Sequence, residues 1–278
     1  MKICTDFEFA GEMLSDYGMI LCSFDSGGGI ETFSSGADIT FNQIKPIGSN
    51  RFNLYSSTYD TALSATFQIC KNPCRLKNQE EMRLSFEEVS AIQRWLCRKD
   101  GYKRFKLDKE GYEHVYWNGT FSSKQIVLND QILGLELTLY TDAPFAFMDE
   151  VSTEYECSAG TSFNLWDNSD ETTDLNNSLR PDMEITILSN GIFKLTNSMD
   201  TKSFILRNCK SGEVITIDGK NQLITSSLSS HNLANDFNYF FPRIINTYEE
   251  RCNTFTPNLD CKIKITYSPL HIIKCFFQ

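Results

Sequence analysis

Three histidines, His114, His231 and His271, are the only imidazoles in a chain of 278 residues. A Ser-His-Asp or Cys-His site needs an imidazole held by a carboxylate or amide beside a nucleophile. His114 falls in a strand-like run, His231 in a polar loop and His271 near the C-terminus, and the sequence ties none of them to such partners. Neither a G-x-S-x-G elbow nor an H-E-x-x-H pair occurs. Glycosidase chemistry needs two carboxylates flanking one bond. The adjacent pairs here are Glu80-Glu81, Glu87-Glu88 and Glu249-Glu250, whose members point in different directions. Residues 167–174 are oxygen-rich, but Ser169 and Thr172 stand where a calcium loop wants Asp or Asn and then Gly. That run reads as linker. Gly27-Gly28-Gly29 lacks the Lys-Ser/Thr that completes a phosphate loop.

The ten cysteines, Cys4, Cys22, Cys70, Cys74, Cys97, Cys157, Cys209, Cys252, Cys261 and Cys275, follow no repeating spacing. Free thiols are the expectation, because the start of the chain has no apolar core of an export signal. Cys70-x-x-x-Cys74 is the closest pair, and no second pair follows to complete a zinc site. Of the three tryptophans, Trp95 and Trp117 read as core. Trp166 is the one candidate for stacking on a sugar ring. No catalytic residue, cofactor or metal ligand is expected, so the chain reads as a non-enzyme.

The elements that would position these residues are mostly strands. Hydrophobic residues make up 41% of the chain and Phe alone 21 positions, enough for real cores rich in β-structure. A formal net charge of −10 disfavours direct binding to nucleic acid. No apolar run approaches the roughly 18–20 residues that span a bilayer, so a chain that stays soluble is expected. One helix is predicted over residues 85–99. Ser85 and Glu88 form a capping box, Val89, Ile92, Trp95 and Leu96 share a face, and Gly101 supplies a left-handed stop. Strands are expected at 63–69, 102–107, 112–117, 125–128 and 132–140, with a turn at Asn129-Asp130. Residues 26–60 are polar and read as a long, partly extended arm with a weak strand signal at Ile39-Thr40-Phe41. A polar connection follows at about 148–180. The remainder shows about eight short strands, Phe240-Phe241 among them, in the spacing of a β-sandwich.

The order of elements in residues 85–147 resembles the siphophage distal tail protein family. The resemblance rests on a capped helix ending in Trp95-Leu96, a run closing on Asp108, the strand that runs from Tyr112 to Trp117, and a last strand ending in Asp142-Ala143-Pro144-Phe145-Ala146. The opening Phe7-Glu8-Phe9-Ala10-Gly11 and Ser15-Asp16-Tyr17-Gly18-Met19-Ile20 are similar to the family's first strands and Gly turns. The C-terminal half follows the general course of its sandwich. The resemblance implies a mainly β fold. Residues 1–150 would form a tail-tube-like α+β domain, a β-sandwich or split barrel with one helix, carrying the arm at about 26–60. Residues 151–278 would form a galectin-like β-sandwich, with a linker at about 148–162. It implies a structural role at the virion's tail tip after synthesis in the bacterial host cytoplasm. Six copies would form a ring that joins the tail tube to the tail-tip hub and offers a place for receptor-binding proteins. DNA would traverse the channel without specific binding, and no membrane insertion is implied. The rival readings are another tail ring, such as a tail-tube protein, and a carbohydrate-binding module.

Overall fold

The computed structural model describes residues 5–24, 38–173, 179–247 and 249–272. The chain folds into two compact units that divide between Met148 and Asp149, with the C-terminal residues from His271 belonging to the first.

The first unit opens with β1 (Phe7–Phe9), β2 (Glu12–Met13) and β3 (Met19–Cys22), then β4 (Ile39–Ile44), β5 (Asn53–Tyr59) and β6 (Ser64–Lys71). Helix α1 (Phe86–Leu96) precedes β7 (Lys103–Leu107), β8 (Val115–Leu128), β9 (Gln131–Thr141) and β10 (Ala146–Met148). An antiparallel sheet runs in the order β2-β1-β7-β8-β9-β6-β3, and β10 adds to β8. Phe7, Phe9, Phe105, Trp117 and Phe121 fill its core. Helix α1 closes it with Val89, Ile92, Trp95 and Leu96. The Trp95 ring stacks on Phe7 and Tyr17, and its Nε1 donates to the carbonyl of Phe9 at 3.0 Å.

The cap of α1 is as the sequence predicts. Ser85 N–H donates to Glu88 Oε2 at 2.7 Å, and Glu88 N–H donates to Ser85 Oγ at 3.2 Å. The helix ends earlier than predicted, at Leu96 with Cys97 as its cap, so Gly101, with φ +102°, bends the chain beyond the helix rather than stopping it. The predicted strands at 112–117 and 125–128 are one strand of 14 residues, β8. Gly119 and Ser123, which break the apolar alternation in sequence, are explained by packing. A Cβ on Gly119 would lie 2.5 Å from the Leu139 side chain, and Ser123 Oγ accepts from Gln93 Nε2 of α1 at 3.1 Å. His114 lies in a turn before β8 rather than within a strand.

The second unit contains β11 (Val151–Cys157), β12 (Phe163–Trp166), β13 (Asp182–Ile187), β14 (Gly191–Asn197), β15 (Ser203–Cys209), β16 (Val214–Asp218), β17 (Leu223–Ser226), the one-turn helix α2 (Leu233–Asp236), β18 (Cys252–Pro257) and β19 (Cys261–Tyr267). Two antiparallel sheets, β11-β19-β13-β16-β17 and β12-β18-β14-β15, share one core, the arrangement of a β-sandwich. Met183, Ile185, Ile187, Ile263 and Ile265 face Phe193, Leu195, Phe204 and Leu206 across it.

Three sequence expectations change here. Residues 151–157 of the expected 148–162 linker form β11, a sheet-edge strand whose Ser152, Glu154 and Glu156 disguise the pattern. Phe240 and Phe241 lie outside any strand. Within residues 167–173, Asp167, Ser169, Glu171 and Thr173 are buried, so these residues line the interior rather than a solvated linker. Asp174, Gly27, Gly28, Gly29, Cys4 and Cys275 lie outside the described residues.

Candidate interaction surface

The arm is a β-hairpin over its described part. β4 and β5 pair antiparallel, with Ile39 opposite Tyr59 and Phe41 opposite Ser57. Between them the chain reverses where Ser49 N–H donates to Pro46 O at 3.1 Å and Gly48 takes φ +80°. A Gly with positive φ at the third position is the signature of a type II turn. The two strands form a sheet by themselves. Their large apolar side chains face solvent: Ile39, Phe41, Ile44, Ile47, Phe52, Leu54 and Tyr55 are all exposed, Ile47 completely. A two-stranded sheet with no third layer is marginally stable in water, and burying one such side chain contributes about 1.5–3 kcal/mol. Exposed apolar side chains gathered on one element mark an interaction site. The sequence disguised it, because Asn, Gln, Ser and Thr alternate with these residues and lower the mean hydropathy of the segment.

Trp95 and Trp117 are core residues, as read from the sequence. Trp166 is 61% exposed. Trp166 ends β12, an edge strand, opposite Cys252. On the same strand Leu165 turns inward, while Phe163 stacks between Tyr155 and Phe255. The indole therefore stands on the outer side of the four-stranded sheet.

His231 has a carboxylate partner that the sequence did not reveal. Its side chain is 3% exposed. Nδ1 meets Glu213 Oε1, and Nε2 meets the carbonyl of Arg207 at 2.9 Å, with Asp236 Oδ2 at 3.5 Å. Ser226 Oγ donates to the same Glu213 Oε1. Burial by itself would raise the Glu213 pKa. Hydrogen bonds from Ser226, His231 and the Lys210 N–H outweigh it and hold the carboxyl below its usual range. This is the wrong wiring for a nucleophile: the serine points at the acid, and both ring nitrogens are already occupied. The group ties β15, β16 and β17 to α2.

A second buried polar cluster surrounds Asp167. Ser169 N–H and Oγ donate to Oδ1 at 3.2 and 2.9 Å, and Asn246 Nδ2 donates to Oδ2 at 2.9 Å. Both carboxylate oxygens thus accept from protein donors. Among the described residues, no group of three or more His, Cys, Asp or Glu side chains could hold a metal ion. The pairs Glu80-Glu81 and Glu87-Glu88 are likewise structural. Glu81 accepts from Lys77 N–H, Glu80 and Glu81 lie in the first turn of a short 3₁₀ helix, and Glu87 and Glu88 in that of α1.

Comparison with known proteins bears on this arrangement. Residues 2–143 match the family described as phage tail protein N-terminal domain, and residues 145–267 match the phage tail C-terminal domain. No curated protein matches. Among solved structures the fold is similar to the crystal structure of the SPP1 Dit protein (gp 19.1), described as a paradigm of the hub adsorption apparatus in phages that infect Gram-positive bacteria. The TM-score is 0.65 at 10% sequence identity, over 95% of this chain and 98% of that one.

Proposed function

From the premise that this chain belongs to the phage tail protein family, being matched by both its N- and C-terminal domains, we propose that it is a distal tail protein. Six copies form a ring at the end of the tail tube, on the tail-tip hub. The first unit builds the ring. The second, a galectin-like sandwich, faces outward and carries receptor-binding proteins. The role is structural and non-enzymatic, in a virion assembled from protein made in the host cytoplasm.

The observation that carries the reading is the β4–β5 hairpin with its apolar side chains in solvent. A ring is a heterologous interface that closes on itself, so each copy must offer one surface and receive its neighbour's. The hairpin lies over the adjacent copy and buries Phe41, Ile44, Phe52 and Leu54 there. Similarity of fold to the SPP1 Dit protein along almost the whole chain, both units included, supports this reading over that of a tail-tube protein. A net charge of −10 suits a channel that DNA must traverse without being retained.

Light scattering across a concentration series tests the ring. The full chain is expected to reach the mass of six copies, alone or on addition of tail-tube protein. A chain lacking residues 28–58 is expected to remain soluble and monomeric. Full assembly of the shortened chain would refute the hairpin's part. A full chain that stays monomeric with its tube partner present would refute the ring.

Trp166 favours a second activity in the same particle. An indole exposed on the outer side of a lectin-like sheet offers a flat apolar face to a sugar ring. A glycan array probed with the full chain and with Trp166→Ala tests it; equal binding, or none by either, removes the reading.

A further inference from the structure

We infer that the β4–β5 hairpin of one copy seats on the next copy at the start of β9, against the β8–β9 turn and the first turn of α1, and that opposite charges hold it there. The inference rests on the ring reading and adds to it the surface that receives the hairpin.

Three segments build that surface. Val127 pairs with Ile132 and Leu128 with Gln131 where β8 turns into β9 through Asn129 and Asp130. The chain entering α1 is held to the same residue of β9, since Leu84 N–H donates to the Ile132 carbonyl at 2.8 Å. Phe86, the first residue of the helix, thus stands at the end of the sheet where Val127 and Leu128 lie. All three side chains are exposed, Phe86 at 82%. They form a second gathering of apolar side chains in solvent, apart from the hairpin.

The patch is acidic. Residues 79–88 hold Glu80, Glu81, Glu87 and Glu88 against Arg83, and Asp130 lies in the turn. Lys71 neutralises Glu88 at 2.8 Å, and Lys124 neutralises Glu136 of β9 at 3.2 Å. Glu87 and Asp130 make no ion pair among the described residues.

The hairpin carries the opposite sign. Residues 39–59 contain Lys45 and Arg51 and no acid. The two cations flank the turn that presents Ile47, and Lys45 Nζ lies 5.7 Å from the centre of the Phe52 ring. The nearest acids in sequence, Asp38 and Asp60, stand at the far end from that tip, where Asp60 accepts from Thr40 and Thr58. A cationic apolar tip and an acidic apolar seat on one chain are what a head-to-tail contact needs, because every copy then offers one and receives the other. Tyr102 is also exposed, but it sits among Lys99, Lys103 and Arg104 and would meet the tip with its own charge.

The experiment is sedimentation of four full-length chains under the condition in which the unaltered chain assembles. They are the unaltered chain, Lys45→Glu with Arg51→Glu, Glu87→Lys with Asp130→Asn, and a chain with all four changes. Asn is used at position 130 because it tolerates the φ of +61° found there. Equal circular dichroism and unfolding midpoints show that the variants fold. Each pair of changes alone is expected to raise the concentration needed for association roughly tenfold or more. The chain with all four is expected to recover much of that loss, because tip and seat have exchanged signs. Added salt is expected to weaken the unaltered assembly. Undiminished association of the Glu87→Lys, Asp130→Asn chain overturns the seat and leaves the hairpin's part in the ring standing. Loss in both pairs without recovery in the fourfold chain overturns it as well. An unaltered chain that never assembles, even with its tube partner, refutes the ring and the seat together.

Discussion

Arg243 and Asp200 meet in a two-pronged ion pair, Nε donating to Oδ2 at 2.7 Å and Nη2 to Oδ1 at 2.6 Å. Asp200 has its side chain 1% exposed and Arg243 11%. Burial would raise the Asp200 pKa, but hydrogen bonds from Arg243 and from the Lys202 N–H hold it below the ordinary range. A depressed carboxylate contributes stability that is whole above its unfolded value, ordinarily 3.8, and is lost as pH falls through the lower folded value. The second unit should therefore hold its unfolding midpoint through neutral pH and lose it in strong acid. Asp200→Asn should cost about 3 kcal/mol at neutral pH, since it leaves a buried guanidinium uncompensated. That variant should also flatten the acid limb. Urea unfolding at several pH values reads both effects. An exposed pair such as Lys262–Glu156 should show neither.

His231 and Glu213 make a comparable demand on packing. Replacing the ring by Ala leaves a buried carboxylate without one of its donors, at a cost of about 3 kcal/mol. His231→Ala should lower the midpoint of the second unit and speed hydrogen exchange in β15 and α2, which this ring joins through Arg207 and Asp236. Equal exchange in wild type and variant would mean that the ring is not the link.

Helix α1 depends on its cap. Ser85→Ala removes the acceptor for the Glu88 N–H and should cost about 1 kcal/mol. Glu88→Gln should retain its part of the capping box but lose the ion pair with Lys71 at 2.8 Å, a partly exposed contact of smaller effect. Chemical denaturation of the two variants side by side gives the order.

These features were unequally legible in the sequence. The cap and the buried face of α1 were readable because Ser85, Glu88, Val89, Ile92 and Trp95 act within a few residues of one another. β8 was read as two strands because Gly119 and Ser123 break its apolar alternation; only the fold shows Leu139 over Gly119 and Gln93 reaching Ser123. His231 lies in a loop, as read, but its partner was hidden because the acid lies 18 residues away and is brought to it by the β16–β17 turn. Residues 167–173 looked solvated because polarity in sequence does not distinguish a buried hydrogen-bonded network from a linker. Of the interaction surface, Ile39 and Phe41 and the unusual length of the arm were visible. The pairing of β4 with β5 was not.

Gly134 tests the packing of Phe24 against β6 and β9. A Cβ there would fall 2.4 Å from the Ile69 carbonyl oxygen and 2.7 Å from the Phe24 ring. The carbonyl belongs to β6 and cannot yield without breaking the ladder, so Phe24 must lift and the strands must shift. Gly134→Ala should cost about 2 kcal/mol, in the range of overpacked sites. It should also raise protease sensitivity near residue 24. A Phe24→Ala, Gly134→Ala double variant should recover part of the loss, because one of the two clashes is then gone. No recovery would assign the whole strain to the β6 carbonyl.

Single substitutions on the hairpin separate assembly from folding. Phe41 and Leu54 are 58% and 59% exposed in the single chain, so Phe41→Ser and Leu54→Ser remove almost nothing that stabilises it. Their unfolding midpoints should equal that of the unaltered chain. In a ring in which a neighbour covers them, each loses about 1.5 kcal/mol or more per interface, roughly a tenfold rise in the concentration needed for association. Every copy carries the change, so the effect is repeated at each contact around the ring. Sedimentation over a concentration series should therefore show both variants dissociating where the unaltered chain is assembled, with the double variant weaker still. If their association matched the unaltered chain, the apolar side chains of the hairpin would have to find another partner. Retesting the same variants with tail-tube protein and with hub protein would then show which of the two covers them.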